Sequence, residues 1–343
     1  MASEVEFFDV RSEPFEVYGL LEPKAGPVFR RLPDTFGTSL NKKVNQHYLS
    51  TAGGRVRFSA CTGVVAVRVT LPEVRVYDHM PATNVCGFDL YVDSEGDSRF
   101  YRSFRPGRPA AEYEAVLMLP DCRPRYFTIN FPSYSPVSSL YVGLDTGAKP
   151  GPGLKYRSPL PVVYYGSSIT QGACASHPGN TYPAIISRRM NLDYLNFGFS
   201  GGGLGEEEMA RYLASLKMLA FVSDYDHNAP DASHLAKTHF RLYEIIRERH
   251  PDIPYIMLSR PGFTYNIKES IARRDVIIDT YRRARELGDK NVYYIDGEGI
   301  FRGPDEDLCT VDGTHPTDVG FLKIADALHR ILVRALRAAG LGN

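Results

Sequence analysis

The sequence has no tryptophan at all and only five cysteines among its 343 residues. Cys61, Cys86, Cys122, Cys174 and Cys309 are odd in number, widely spaced and never arranged as C-x-x-C. That excludes a disulfide-stapled mini-fold, a zinc ribbon and a thioredoxin-like redox motif. Neither sign of charge is in excess: 40 Lys+Arg stand against 40 Asp+Glu. General binding to nucleic-acid phosphate needs a basic excess or stripe, so no nucleic-acid partner is expected. The longest basic clusters, Arg30-Arg31 and Arg282-Arg283, read as solvated surface. Long apolar runs are missing too, none approaching the roughly 18 residues of a membrane span. The opening residues, Met-Ala-Ser-Glu-Val-Glu-Phe-Phe, lack the basic and then apolar pattern of a secretory leader. The expectation is a cytoplasmic protein without a membrane partner, of an oligomeric state the sequence does not reveal. With tryptophan absent, any sugar-stacking surface must come from the 22 Tyr and 18 Phe.

What is present is an ordinary globular balance, 43% hydrophobic and 23% charged, in a chain long enough for about two domains. Composition shifts near residue 150. Before it, short β-branched and aromatic runs alternate with turn residues: 55–59, 64–71, 87–92, 115–119, 126–131 and 139–144. In the run 64–71, Val65, Val67, Val69 and Leu71 would face a core, with Ala66, Arg68 and Thr70 on a more polar face. No helix-period stretch of useful length interrupts them, so residues 1–150 read as an antiparallel, jelly-roll-like β-sandwich. Residues 145–161, rich in Gly and Pro, read as a linker or strap.

From 151 to 343 strands and helices alternate. Strands are expected at 162–165, 194–197, 219–223, 254–258 and 292–295, and helices at 182–190, 206–217, 234–250, 266–287 and 317–339. Five such units imply a parallel sheet covered on both faces, with the flavodoxin-like strand order 2-1-3-4-5.

Ligands of such sheets bind beyond the carboxyl ends of the strands. Four polar, mostly Gly-rich loops fall there: Gly166–Gly172, Asn196–Gly203, Asp224–Pro230 and Asp312–Pro316. They contain Ser168, a hydroxyl needing an adjacent base to become a nucleophile. His315 is the candidate base, and Asp312, three residues earlier, is placed to hold its Nδ1–H. The backbone N–H groups of Ser168 and Gly201 and the side-chain amide of Asn228 are candidate oxyanion donors. Each residue also has a plainer reading. Ser168 serves equally as a helix cap, Asp312 as a turn former, His315 as a surface residue and Gly201 as part of a flexible turn.

The four blocks resemble those of the SGNH hydrolases, the GDSL-type esterases and lipases. GSSITQG is similar to the family's first block, NFGFSG to the second, DYDHNAP to the third and DGTHPTDVGF to the fifth, in family order over about residues 160–340. The resemblance implies Ser168 as nucleophile, His315 as base, Asp312 as its partner, and Ser168, Gly201 and Asn228 around the oxyanion. It further implies a three-layer α/β catalytic domain and no cofactor. Relatives that also carry an amino-terminal sandwich are frequently carbohydrate acetyl esterases. Two departures stand out: Ser167 replaces the usual aspartate, and the third block keeps only Asn228 of G-x-N-D.

The resulting expectation is a serine esterase releasing a small acyl group, acetyl first, from a small-molecule or oligosaccharide ester. The alternatives are a lipase or thioesterase, and a vestigial hydrolase that only binds carbohydrate. His177, His227 and Arg260 are possible substrate contacts; His177 and Cys174 either line the pocket or pack, and Arg260 either meets substrate or forms a salt bridge. Asp224, Asp226, His227 and Asp231 read as solvated or supporting groups, not as a metal centre, because nothing completes a recognisable ligand spacing.

Overall fold

A computed structural model describes residues 4–263 and 266–341. In chain order the amino-terminal elements are β1 (Val5–Asp9), β2 (Glu16–Tyr18), α1 (Asp34–Ser39), α2 (Lys42–His47), β3 (Arg55–Cys61), β4 (Val64–Thr70) and α3 (Ala82–Val85). Then follow β5 (Phe88–Ser94), β6 (Asp97–Phe104), β7 (Glu112–Met118), β8 (Pro124–Asn130), β9 (Ser139–Asp145) and β10 (Gly151–Pro152). These strands form two antiparallel sheets, ordered β1-β9-β4-β7 and β10-β3-β8-β5-β6, with β2 beside β3.

The sandwich core is what the alternation of β4 demands. Val65, Val67 and Val69 turn inward with Phe58, Leu90, Phe127 and Ile129 from the facing sheet. Each such side chain contributes roughly 1.5–3 kcal/mol on burial. Ala66, expected on the polar face, is buried as well. It pairs with Gly143, where a Cβ would already be 2.5 Å from Val5 and 2.9 Å from Phe7. The missing side chain lets β1 residues close over Ala66, and the Arg68 guanidinium lies 3.9 Å above the Phe7 ring.

Some elements escaped the sequence pattern. Strand β6 is an edge strand with polar residues on both faces, so it carries no alternation to read. Strand β10 lies inside the segment taken as a linker and pairs with β3 through Gly151–Ser59 and Pro152–Phe58.

The carboxyl-terminal elements are β11 (Val162–Gly166), α4 (Ser168–Gln171), α5 (Tyr182–Met190), β12 (Tyr194–Gly198), α6 (Glu207–Ser215), β13 (Ala220–Asp224) and α7 (Ala232–Arg249). They continue through β14 (Tyr255–Leu258), α8 (Ile267–Glu286), β15 (Val292–Ile295) and α9 (Asp318–Ala338). All five strands are parallel, in the order β12-β11-β13-β14-β15, which is 2-1-3-4-5. Helices α5 and α9 cover one face, packing Ile185, Ile186, Leu328 and Leu332 against Val162, Val222 and Ile256. Helices α6, α7 and α8 cover the other with Leu213, Leu242, Ile246 and Ile277.

Phe29 stays in the sandwich core, whereas residues 32–48 belong in packing terms to this second layer. Leu32 and Val44 join its core, with Phe36, Leu40 and Tyr48 against it. Arg31 is not the solvated residue expected: it is 2% exposed. Its guanidinium donates to the carbonyls of Ser50, Asn196, Gly198 and His47 and lies over the Phe199 ring. Burial pushes its pKa down to about 9. A charge in a dry layer is tolerable when its donors are this fully used.

Candidate active site

Strand β11, Val-Val-Tyr-Tyr-Gly, is buried along its whole length, as a central parallel strand must be. It ends at Gly166, where a Cβ would stand 2.0 Å from Thr170 Oγ1 and 2.3 Å from the Asp224 carbonyl. Only glycine lets the chain turn that tightly from strand into α4. Ser167 then caps α4, its side chain accepting the Ile169 N–H at 3.1 Å, while its own N–H donates to the Asp224 carbonyl at 3.0 Å. The hydroxyl thus supplies the N-cap acceptor where the resemblance led one to expect a carboxylate. Ser168 follows as the first residue of α4.

The loop carrying His315 is clasped into a narrow turn. Val311 N–H donates to the His315 carbonyl, and Thr317 N–H to that of Cys309. Asp312 Oδ1 accepts the N–H groups of Thr314 at 3.0 Å and His315 at 2.8 Å. Its Oδ2 lies 2.7 Å from His315 Nδ1, and His315 Nε2 lies 3.0 Å from Ser168 Oγ. With Nδ1–H donated to the carboxylate, Nε2 is left to accept the serine proton. Partial burial would raise the Asp312 pKa, but the hydrogen bonds and charge of His315 outweigh it and hold the carboxyl down at about 2. Three residues separated by up to 147 positions are brought into one hydrogen-bonded chain.

The candidate oxyanion donors lie at the start of α4 and in the loops that follow β12 and β13. Gly201 sits at φ +68°, a conformation that favours glycine. Among the described residues, neither its N–H nor that of Ser168 finds a backbone acceptor. Asn228 Nδ2 donates to the Phe199 carbonyl at 2.8 Å. That bond orients the amide and ties the third loop to the second, and the second amide hydrogen is left for a ligand.

The other candidates fall elsewhere. His177 is at the junction with the sandwich: its Nδ1 lies 2.6 Å from Asp89 Oδ2, and Phe100 stacks on its ring at 4.3 Å. Arg260 donates from Nη2 to Thr314 Oγ1 at 3.2 Å, bracing the loop of His315. His227 is half-buried with both ring nitrogens covered, and burial first, then the charges of Arg260 and His315, disfavour its protonation. Asp224 and Asp226 are not solvated as expected; they are 0% and 1% exposed. Asp231 caps α7, accepting the His234 N–H.

Residues that the sequence did not single out also border the site, and they come from the sandwich side. The His79 ring lies 5.4 Å from that of His315, and Cys174 Sγ meets the His79 carbonyl at 3.4 Å. Tyr77 packs against the cluster of Met80, Val85, Tyr134, Ala173 and Cys174. The segment 72–81 has neither strand nor helix, so no periodicity could have marked it.

A 2-1-3-4-5 parallel sheet with these loops at its carboxyl edge, preceded by a two-sheet sandwich, defines the two-domain SGNH hydrolases. Residues 160–333 match the GDSL-like lipase/acylhydrolase family, and the chain belongs to it. Residues 5–149 match the GxDLY domain, the N-terminus of SGNH-hydrolase-type esterases, and Gly87-Phe88-Asp89-Leu90-Tyr91 spells its signature. No curated protein matches the chain in sequence. Among solved structures, one from Bacteroides ovatus described as GDSL-like lipase shares 25% identity at a TM-score of 0.88, covering 97% of this chain and 98% of its own. The salicylyl-acyltransferase SsfX3 of a tetracycline biosynthetic pathway shares 20% at 0.77, covering 98% of each. A family two carbohydrate esterase from Clostridium thermocellum, in complex with cellohexaose, shares 16% at 0.61, covering 85% of this chain and 94% of its own. The protein is therefore an acyl ester hydrolase by family.

Proposed function

We propose that the protein is a serine esterase that removes a small acyl group, acetyl first, from a carbohydrate. The observation that carries this reading is the unbroken relay from Ser168 Oγ through His315 to Asp312, at 3.0 and 2.7 Å. In the proposed reaction His315 Nε2 takes the Ser168 proton as Oγ attacks the ester carbonyl. Asp312 holds Nδ1–H and offsets the imidazolium charge. The oxyanion is received by the N–H groups of Ser168 and Gly201 and by the Asn228 amide. His315 then protonates the leaving sugar oxygen, and water repeats the sequence on the acyl-enzyme.

For the substrate, support comes from the relatives named as carbohydrate esterases and from an acetyl xylan esterase of Butyrivibrio proteoclasticus sharing the fold. Support also comes from Tyr77 and His79 beside His315, which offer an aromatic wall in a chain without tryptophan. Turnover should be followed on p-nitrophenyl esters of increasing acyl length and on acetylated oligosaccharides, with released acetate as the readout. Acetyl should be preferred, and Ser168→Ala should lose at least about 10³-fold in kcat. A variant with wild-type turnover would show that Ser168 is not the nucleophile. Equal rates on long acyl chains would point to a lipase instead.

A further inference from the structure

At the end of β13 and in the turn that carries Asn228, three side chains bring their polar ends close together. Asp224 closes β13, and Asp226 and His227 follow in the next turn. One donor atom from each lies within 4.8 Å of the others. Both carboxylates are almost wholly buried, and each uses only one oxygen. Asp224 Oδ2 accepts from Thr170 Oγ1 at 3.1 Å and Tyr182 Oη at 3.3 Å. Asp226 Oδ2 accepts the Arg260 N–H at 3.0 Å. Among the described residues, Asp224 Oδ1, Asp226 Oδ1 and both ring nitrogens of His227 find no hydrogen-bond partner.

An unpaired buried acceptor is costly, and a group of them in one place is not a usual way to finish a core. The imidazole is the telling member. A neutral histidine beside two carboxylates would ordinarily donate its N–H to one of them, yet His227 stands close to both and bonds neither. A cation held between the three groups accounts for that stand-off and engages one carboxylate oxygen from each aspartate and one ring nitrogen of His227 together. Two carboxylate oxygens and an imidazole nitrogen form a mixed set that suits a first-row divalent ion better than calcium or magnesium. Two positive charges stand nearby, and the two carboxylates of the trio offset them. Arg273 is paired with Glu269 at 2.9 Å and donates to the Asp226 carbonyl, and Arg260 donates to Thr314.

We propose that Asp224, Asp226 and His227 form a structural site for one zinc or manganese ion. Bound there, the ion links the end of β13 to the turn before Asn228. Through Thr170 it also links that turn to α4, which carries Ser168, and through Tyr182 to α5. The site is separate from the hydrogen-bonded chain of Ser168, His315 and Asp312, and the inference holds whether or not the esterase reading does.

The full chain, stripped with a chelator and desalted, should be loaded with zinc or with manganese at about 0.1 mM and desalted again. Metal content by mass spectrometry and the loss of free-manganese paramagnetic signal should then give one ion per chain. The melting temperature should rise by about 5 °C on loading. His227→Gln and Asp226→Asn should each weaken retention by about 10–100-fold. Asp226 also holds the Arg260 backbone, so His227→Gln, which leaves that bond intact, decides the matter if Asp226→Asn fails to fold. Cys174→Ser addresses the other cluster of ligand-type side chains, His79, Cys174 and His315. If loading depends on Cys174 and not on His227, the ion sits there and the proposal falls. If the chain retains no metal and its melting temperature does not move, the carboxylates share a proton and the proposal falls as well.

Discussion

Asp89 of the sandwich and His177 of the α/β layer are joined by a 2.6 Å hydrogen bond that locks the two halves of the chain together. The same carboxylate oxygen accepts the Gly179 N–H at 2.6 Å, and the other accepts from Asn130. Tyr91, two residues on, lies so close to Gly179 that a Cβ there would be 2.5 Å from its ring. The signature Gly-x-Asp-Leu-Tyr thus acts at the segment that follows α4. That segment is held from the other side by Asp318, which accepts from Ser176 N–H and Asn180. Asp89→Ala leaves three donors unpaired and should lower stability by about 2–4 kcal/mol. Denaturant unfolding of the intact chain measures the loss, and Asp89→Asn should recover part of it.

Asp312 Oδ2 lies 2.7 Å from His315 Nδ1, and its Oδ1 accepts the His315 backbone N–H. Asp312→Asn keeps the shape but presents an amide where a carboxylate accepts Nδ1–H. On the proposed reading kcat should fall by about 10³–10⁴-fold with KM little changed. Steady-state kinetics on p-nitrophenyl acetate measure this, and an unchanged kcat would exclude Asp312 from the relay.

Asn228 is tied to the Phe199 carbonyl and should act only when charge develops on the substrate oxygen. Asn228→Ala should therefore lower kcat by about 10²–10³-fold and leave KM nearly as it was. If KM rises while kcat holds, the amide binds the ground state and is not an oxyanion donor.

His239 is buried on α7, with Nδ1 2.9 Å from Thr280 Oγ1, and desolvation pushes its pKa down from 6.5 to about 3. Between those values the unfolded chain binds a proton that the folded chain refuses. The stabilising contribution is therefore complete above pH 6.5 and is lost as pH falls toward 3. The slope is up to about 1.4 kcal/mol per pH unit. Urea unfolding at pH 7 and pH 5 should show a loss of about 2 kcal/mol attributable to this residue. His239→Gln should remove that part of the slope, and an identical slope in the variant would refute the assignment.

Legibility in the sequence followed local repetition. The strand 292–295 and the helix 182–190 were readable to the residue, and the other α/β elements to within a few, because the helices repeat their burial every turn and the parallel strands form short apolar runs. The sandwich was readable where β-branched and aromatic residues repeat between turns, as in β3 and β4. Strand β6, polar on both sides, and β10, two residues long, carry no such repeat. Arg31 looked like surface because nothing local reveals that four carbonyls, two from the distant β12 (Asn196 and Gly198), will surround it. The solvated reading of Asp224 and Asp226 failed for the same reason. Their burial comes from neighbours on α4, α5 and the fourth strand, and not from their own flanks.

The sequence by itself determined the two-part architecture, the parallel order of the second sheet and which four loops meet at its edge. Hydrophobic periodicity and the right-handed crossover leave few other arrangements for those segments. Tertiary structure alone decided the rest. It set the 3.0 Å approach of Ser168 to His315 and the use of Asp89 and His177 as a clasp between the halves. It also decided the intrusion of Tyr77 and His79 from the sandwich side and the buried trio of Asp224, Asp226 and His227. Such contacts join residues far apart in the chain or bury them under other elements. Their energies depend on distance and desolvation, and neither quantity exists until the chain has folded.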